Sequence, residues 1–140
     1  MRWKEDCLDL KPDWVSILIG INDTWRRYDS GDATAVEVFR QHYRSILKAT
    51  AEMGAKLIVL EPFVLPFPID RKAWRVDLDP KIQAARELAR EFEAIYVPLD
   101  GLFAAETTQR EPGFWAGDGV HPTLAGHALI AQAWLSAVEA

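Results

Sequence analysis

One hundred and forty residues, 49% of them hydrophobic, suffice for one globular domain over residues 1–140, with a core that needs no disulfide or metal staple. Sixteen basic against 21 acidic residues give a net charge of −5, and the basic residues are scattered rather than gathered into a patch, which argues against a nucleic-acid partner. The single Cys7 excludes an intramolecular disulfide and a cysteine-built metal site.

At the N-terminus, Met1-Arg-Trp-Lys-Glu-Asp lacks the apolar centre of a signal peptide, and nowhere does an apolar run reach the roughly 18 residues that span a bilayer. No membrane partner is expected, and the default location is cytoplasmic. Residues 2–10 set Trp3, Cys7, Leu8 and Leu10 among charges at helical spacing, which predicts a short helix. Pro12-Asp13 breaks it. The β-branched and apolar run Trp14-Val-Ser-Ile-Leu-Ile19 reads as a strand buried on both faces. Gly20-Ile-Asn-Asp23 follows at its C-terminal end, where open parallel sheets place their ligands.

A polar loop through Tyr28-Asp-Ser-Gly-Asp32 leads to Val36, Phe39, Tyr43, Ile46, Leu47 and Thr50, one face of a helix stopped by Gly54. Lys56-Leu-Ile-Val-Leu-Glu61 is the second strand. Prolines at 62, 66 and 68 make residues 62–78 irregular, and Phe63, Phe67 and Trp74 there serve either as core or as the wall of a pocket. Asp79-Pro80 reads as a cap and first-turn proline, opening a helix whose buried face is Ile82, Ala85, Leu88, Ala89 and Phe92. Ala94-Ile-Tyr-Val-Pro98 is a third, shorter strand. A helical turn over 102–108 and a final helix over 123–138 complete the chain.

This alternation of strand and helix predicts a three-layer, flavodoxin-like α/β fold, with a parallel sheet and helices on both faces. Three strands are few for such a sheet, so at least one edge is expected to lack a partner. The chemistry concentrates in Gly117-Asp-Gly-Val-His-Pro-Thr-Leu-Ala-Gly-His127. There Asp118 precedes His121 by three residues, just before a helix, and Pro122 suits a helix start. A histidine oriented by a carboxylate needs such a rigid support. Taken alone, Asp118 reads first as a turn or cap residue, and Asn22-Asp23 likewise reads as a turn. His127, six residues after His121, is poorly spaced to share a metal and is expected in a surface or packing role, His42 is expected to be solvated, and Cys7 is a small packing residue.

Together, Val15-Ser-Ile-Leu-Ile-Gly-Ile-Asn-Asp-Thr-Trp25 and Asp118-Gly-Val-His121-Pro resemble the Gly-x-Asn-Asp and Asp-x-x-His blocks of the SGNH (GDSL) hydrolases, in the family's order. The resemblance implies a serine esterase or acylhydrolase working on small, acetyl-type esters without metal or cofactor. In it His121 is the general base and Asp118 its orienting carboxylate. Asn22 donates to the oxyanion, with Gly20 packed behind it, and Asp23 fixes the loop rather than reacting.

One block is absent. Gly-Asp-Ser should precede Gly20, yet only Ser16 lies there, inside a strand; Ser30 follows Asp29 but out of order, and Ser45 and Ser136 fall in predicted helices. The resemblance therefore implies a domain incomplete at its N-terminus, lacking on the order of 30 residues including the first strand, and a chain inactive by itself. An upstream signal peptide would then redirect it to secretion. The unpaired strand edge is expected to associate with a second copy or a separate N-terminal piece. The alternative reading is a non-catalytic α/β module binding a ligand or partner at the same loops; a flavodoxin-like nucleotide binder is weaker, because no glycine-rich phosphate loop is present.

Overall fold

The computed structural model describes residues 2–139. A short helix α1 (Trp3–Asp6) and a 3₁₀ turn (Leu8–Leu10) lead to strand β1 (Trp14–Leu18), helix α2 (Ile21–Asp29), helix α3 (Val36–Glu52) and strand β2 (Lys56–Leu60). A 3₁₀ segment (Ile69–Trp74) runs into helix α4 (Arg75–Glu91), followed by strand β3 (Ile95–Val97) and helices α5 (Leu99–Glu106), α6 (Pro112–Trp115) and α7 (Leu124–Val138). Among the described residues no helix is long and apolar enough to cross a membrane.

The strands form one parallel sheet in the order β1-β2-β3, with Trp14 opposite Lys56 and Ile58 opposite Ile95. On one face α3 and α4 cover the sheet, joining Val15, Ile17, Leu57 and Val59 to Phe39, Tyr43, Leu47, Ala85 and Leu88. On the other, Ile58, Leu60 and Val97 meet Leu99 and Phe103 of α5 and the apolar side of α7. Each fully buried Leu or Ile contributes about 1.5–3 kcal/mol. The three layers are thus those expected from the alternating pattern.

Three local expectations are corrected. First, β1 is not buried on both faces: Val15 and Ile17 point inward, while Trp14 and Leu18 are each 41% exposed. Its apolar composition satisfies strand propensity, but α5 and α7 cover the second face over β2 and β3, reaching β1 through the bond from Trp134 Nε1 to Ser16 Oγ at 2.9 Å. Second, the polar stretch after Gly20 is helical as far as Asp29, because Ile21 and Trp25, four residues apart, lie on one face against the core.

Third, α4 begins at Arg75, so Pro80 sits inside the helix instead of opening it. A proline there forfeits one backbone hydrogen bond, and tertiary anchors offset the loss. Buried Asp77 accepts from Thr24 Oγ1 at 2.8 Å, Arg27 Nη1 at 2.8 Å and Lys81 Nζ at 2.5 Å. Burial by itself would raise the Asp77 pKa, but the bonds from Lys81, Thr24 and Arg27 leave it below the ordinary value. The same network ties α2 to α4. Nearby, Glu61, fully buried at the end of β2, accepts from Arg86 Nε, Tyr96 Oη and the Asp100 amide, fixing the start of α5.

Candidate active site

The loop 117–123 is closed by its own hydrogen bonds. Asp118 Oδ1 accepts the amides of Val120 at 3.0 Å and His121 at 2.8 Å, a local turn that aspartate favours. Its other oxygen, Oδ2, lies 2.6 Å from His121 Nδ1. Burial alone would raise the Asp118 pKa, but hydrogen bonds from the His121 side chain and from the His121 and Val120 amides outweigh it and bring the pKa down to about 2. Asp118 is therefore ionised at neutral pH and only accepts. Nδ1 is then the donor of this contact, and in a neutral imidazole so oriented the lone pair sits on Nε2, where it can take another proton.

Long-range contacts lock this loop in place. Gly119 has φ +82°, and a Cβ there would collide with the Phe67 carbonyl oxygen and lie 2.8 Å from that of Leu65, so only glycine fits. The Leu65 amide donates to Gly119 O at 2.8 Å, and Arg71 Nε donates to Asp118 O at 3.1 Å. Ala116 and Pro122 form an antiparallel bridge. The cap of α7 is Thr123, whose Oγ1 accepts the Gly126 amide at 3.3 Å; Pro122 lies just before the cap rather than in the first helical turn.

The other half of the site is the start of α2. Gly20 takes φ +122°, and a Cβ on it would press on Pro62 at 3.2 Å and Phe39 at 3.4 Å; glycine permits the sharp passage from β1 into the helix. Asn22 is exposed at the second helical position, its amide without a hydrogen bond among the described residues. Asp23 bonds Arg26 at 2.9 Å, which holds the turn. Trp25, on the same side of α2 as Asn22, brings its ring to 5.6 Å from that of His121. Val120 packs in the same apolar cluster as Ile21 and Trp25. Both sequence blocks thus meet at one end of the sheet.

The serines are elsewhere. Ser16 Oγ accepts from Trp134, while Ser30 and Ser45 bond the carbonyls of Arg26 and Gln41. Ser136 lies 12 residues beyond the first residue of α7, about 18 Å along the helix axis. His127 and His42 are exposed, as expected, and Cys7 is half-buried. Among the aromatics left open between core and pocket, Phe63 and Trp74 are buried in the core, whereas Phe67 is 43% exposed and lies on Gly113.

Sequence reading did not single out Arg71. Its guanidinium carbon sits 4.1 Å from the Trp74 ring centre and 5.1 Å from that of Trp25, with Asp70 bonded at 2.8 Å. No local pattern announces a residue that acts across 47 positions to hold Asp118.

The pattern of the GDSL-like Lipase/Acylhydrolase family matches residues 1–129. The acetylxylan esterase of Geobacillus stearothermophilus is 33% identical over 138 residues, 96% of this chain and 63% of that enzyme. A crystal structure from Parabacteroides merdae ATCC 43184, assigned as a GDSL-like lipase, superimposes with a TM-score of 0.93 at 37% identity, over 99% of this chain and 65% of the other. A catalytic mutant of an acetylxylan esterase from Geobacillus stearothermophilus, with an aspartate replaced by alanine, gives a TM-score of 0.89 at 30% identity, over 98% of this chain and 64% of its own. Further catalytic mutants of that esterase replace a serine or a histidine, the histidine three positions after the aspartate. The chain spans just under two thirds of the length of each of these relatives.

Proposed function

Because this chain belongs to the GDSL-like lipase/acylhydrolase family, we propose that it carries the acid–base pair and an oxyanion donor of a carboxylic ester hydrolase acting on small, acetyl-type esters, acetylated sugars among them. The observation that carries this reading is the 2.6 Å contact between His121 Nδ1 and an ionised Asp118, which occupies Nδ1 and leaves Nε2 as the free ring nitrogen. Similarity to an acetylxylan esterase supports the acetyl-ester assignment.

In this mechanism a serine hydroxyl attacks the ester carbonyl while His121 Nε2 accepts its proton. Asp118 stays ionised and stabilises the imidazolium through Nδ1. Negative charge collects on the carbonyl oxygen, where the Asn22 side-chain amide donates; one such donor is worth about 100- to 1,000-fold in rate. His121 then passes the proton to the departing alcohol. Water, deprotonated by His121 in turn, releases the acid from the acyl-serine. Ser16, Ser30 and Ser45 are hydrogen-bonded to Trp134 and to the carbonyls of Arg26 and Gln41, and no serine is hydrogen-bonded to His121 among the described residues, which supports a nucleophile other than these four serines. In this reading the serine is that of a Gly-Asp-Ser turn, a motif these 140 residues do not contain.

The test is hydrolysis of p-nitrophenyl acetate. The 140-residue chain is expected to show no more than background, and a fusion to the Gly-Asp-Ser-bearing segment of a relative is expected to turn over, with His121→Ala abolishing the gain. A fusion that folds yet stays inactive would refute the assignment. The serine positions also favour a second reading, a non-catalytic module that binds a ligand at the same loops, and that outcome would support it.

A further inference from the structure

A cleft of about 290 Å³ lies between α2 and the 69–74 turn, with Trp25, Tyr28, Asp29, Asp70 and Arg71 among its walls, and the Trp25 ring is 5.6 Å from that of His121. The cleft sits just below the size range of drug-sized ligand pockets, the scale of a single ring. Its chemistry is mixed in a specific way. Tyr28 stacks on Trp74 with planes 9° apart, and its own ring is 40% exposed, offering an apolar wall. Facing it are polar groups with capacity to spare: Asp29 has no hydrogen bond or ion pair among the described residues, and Arg71 has committed Nε to Asp118 O and Nη1 to Asp70, leaving Nη2 without a partner there.

Charge narrows the ligand class. Two carboxylates against one guanidinium make the cleft net negative, which disfavours an anionic ligand. A cationic ligand would need the aromatic faces, and a guanidinium already lies over each of them, Arg71 over Trp25 and Trp74 and Arg27 5.8 Å from the centre of the Tyr28 ring. What remains is a neutral molecule with an apolar face for Tyr28 and several hydroxyls able both to donate to the carboxylates and to accept from Arg71. A pyranose ring has that pattern.

We propose that this cleft holds a sugar ring of the ester's alcohol, with Tyr28 as its apolar wall and Asp29, Asp70 and Arg71 Nη2 bonding its hydroxyls, while Trp25 joins the cleft to His121. The alcohol assignment rests on the hydrolase reading; the sugar site does not. Arg71 then links the two, since the side chain that bonds the sugar also holds the Asp118 carbonyl.

Binding is measured on the 140-residue chain by titration calorimetry with xylotriose, using 1-hexanol as an apolar alcohol without the ring hydroxyls. Xylotriose is expected to bind saturably and hexanol not at all. Tyr28→Ala and Asp70→Ala, both at exposed positions, should each weaken xylotriose at least about tenfold while the thermal midpoint stays within a few degrees, and the remote Lys48→Ala should leave affinity unchanged. No xylotriose binding, equal affinity in the Tyr28 and Asp70 variants, or comparable hexanol binding would each overturn the proposal. Because the readout is binding alone, a sugar-binding chain whose Gly-Asp-Ser fusion fails to cleave p-nitrophenyl acetate would sink the hydrolase reading and keep the cleft.

Discussion

The two loops that meet at the end of the sheet are built in opposite ways. The Asp118–His121 loop is closed by its own side chain, by Leu65 and by Arg71, so its acid–base pair is set before any substrate arrives. The Gly20–Asp23 turn has its backbone fixed by Gly20 and by the Asp23–Arg26 bond, but the proposed oxyanion donor, Asn22, is exposed. Proton transfer demands a fixed tautomer and ring orientation, whereas an oxyanion donor is needed only once charge develops. The difference teaches which half carries the preorganisation.

Substitutions can break that contrast, and the largest effect falls on the closed loop. In a fusion that supplies the serine, Asp118→Asn should lower kcat about 10⁴-fold by favouring the wrong tautomer; steady-state hydrolysis of p-nitrophenyl acetate measures it. Gly119→Ala comes next. It forces a Cβ onto the Phe67 carbonyl at a positive φ, and overpacking plus backbone strain should cost about 3 kcal/mol, read by urea denaturation.

On the open side, Asn22→Ala should lower kcat about 100-fold, the low end for an oxyanion donor, without changing the denaturation midpoint. The smallest effect sharpens the contrast through pH. The Asp118 pKa of about 2 in the folded chain lies below the ordinary carboxylate value, so its contribution to stability is fully present above about pH 4 and is lost as pH falls through about 2. Thermal midpoints from pH 6 down to 2 should drop further for the parent chain than for Asp118→Asn.

Much of this was legible in the residues. The three strands follow from Val, Ile and Leu runs of strand length, and α3 from the spacing of Phe39, Tyr43, Leu47 and Thr50, all buried. The Asp118–His121 contact follows from an aspartate favouring a local turn. Composition was silent wherever a distant partner decides the outcome. Trp14 and Leu18 have strand character, but only the placement of α5 and α7 shows that they are not covered. Asp79-Pro80 has the form of a helix start, yet Asp77 and Leu78, buried upstream, pull the helix five residues earlier. The polar residues between 26 and 29 hide a helix that Ile21 and Trp25 anchor. Arg71 carried no local sign of its bond to Asp118, because that contact exists only once the 69–74 turn is folded against residue 118.

In the proposed mechanism His121 activates a serine that is none of the four in these 140 residues. Reaction with a serine-directed fluorophosphonate, followed by peptide mass spectrometry, tests it directly. No labelled serine is expected in the 140-residue chain, and one labelled Gly-Asp-Ser serine is expected in the fusion, lost in His121→Ala. Labelling of Ser16, Ser30, Ser45 or Ser136, or fusion labelling that persists in His121→Ala, would contradict it.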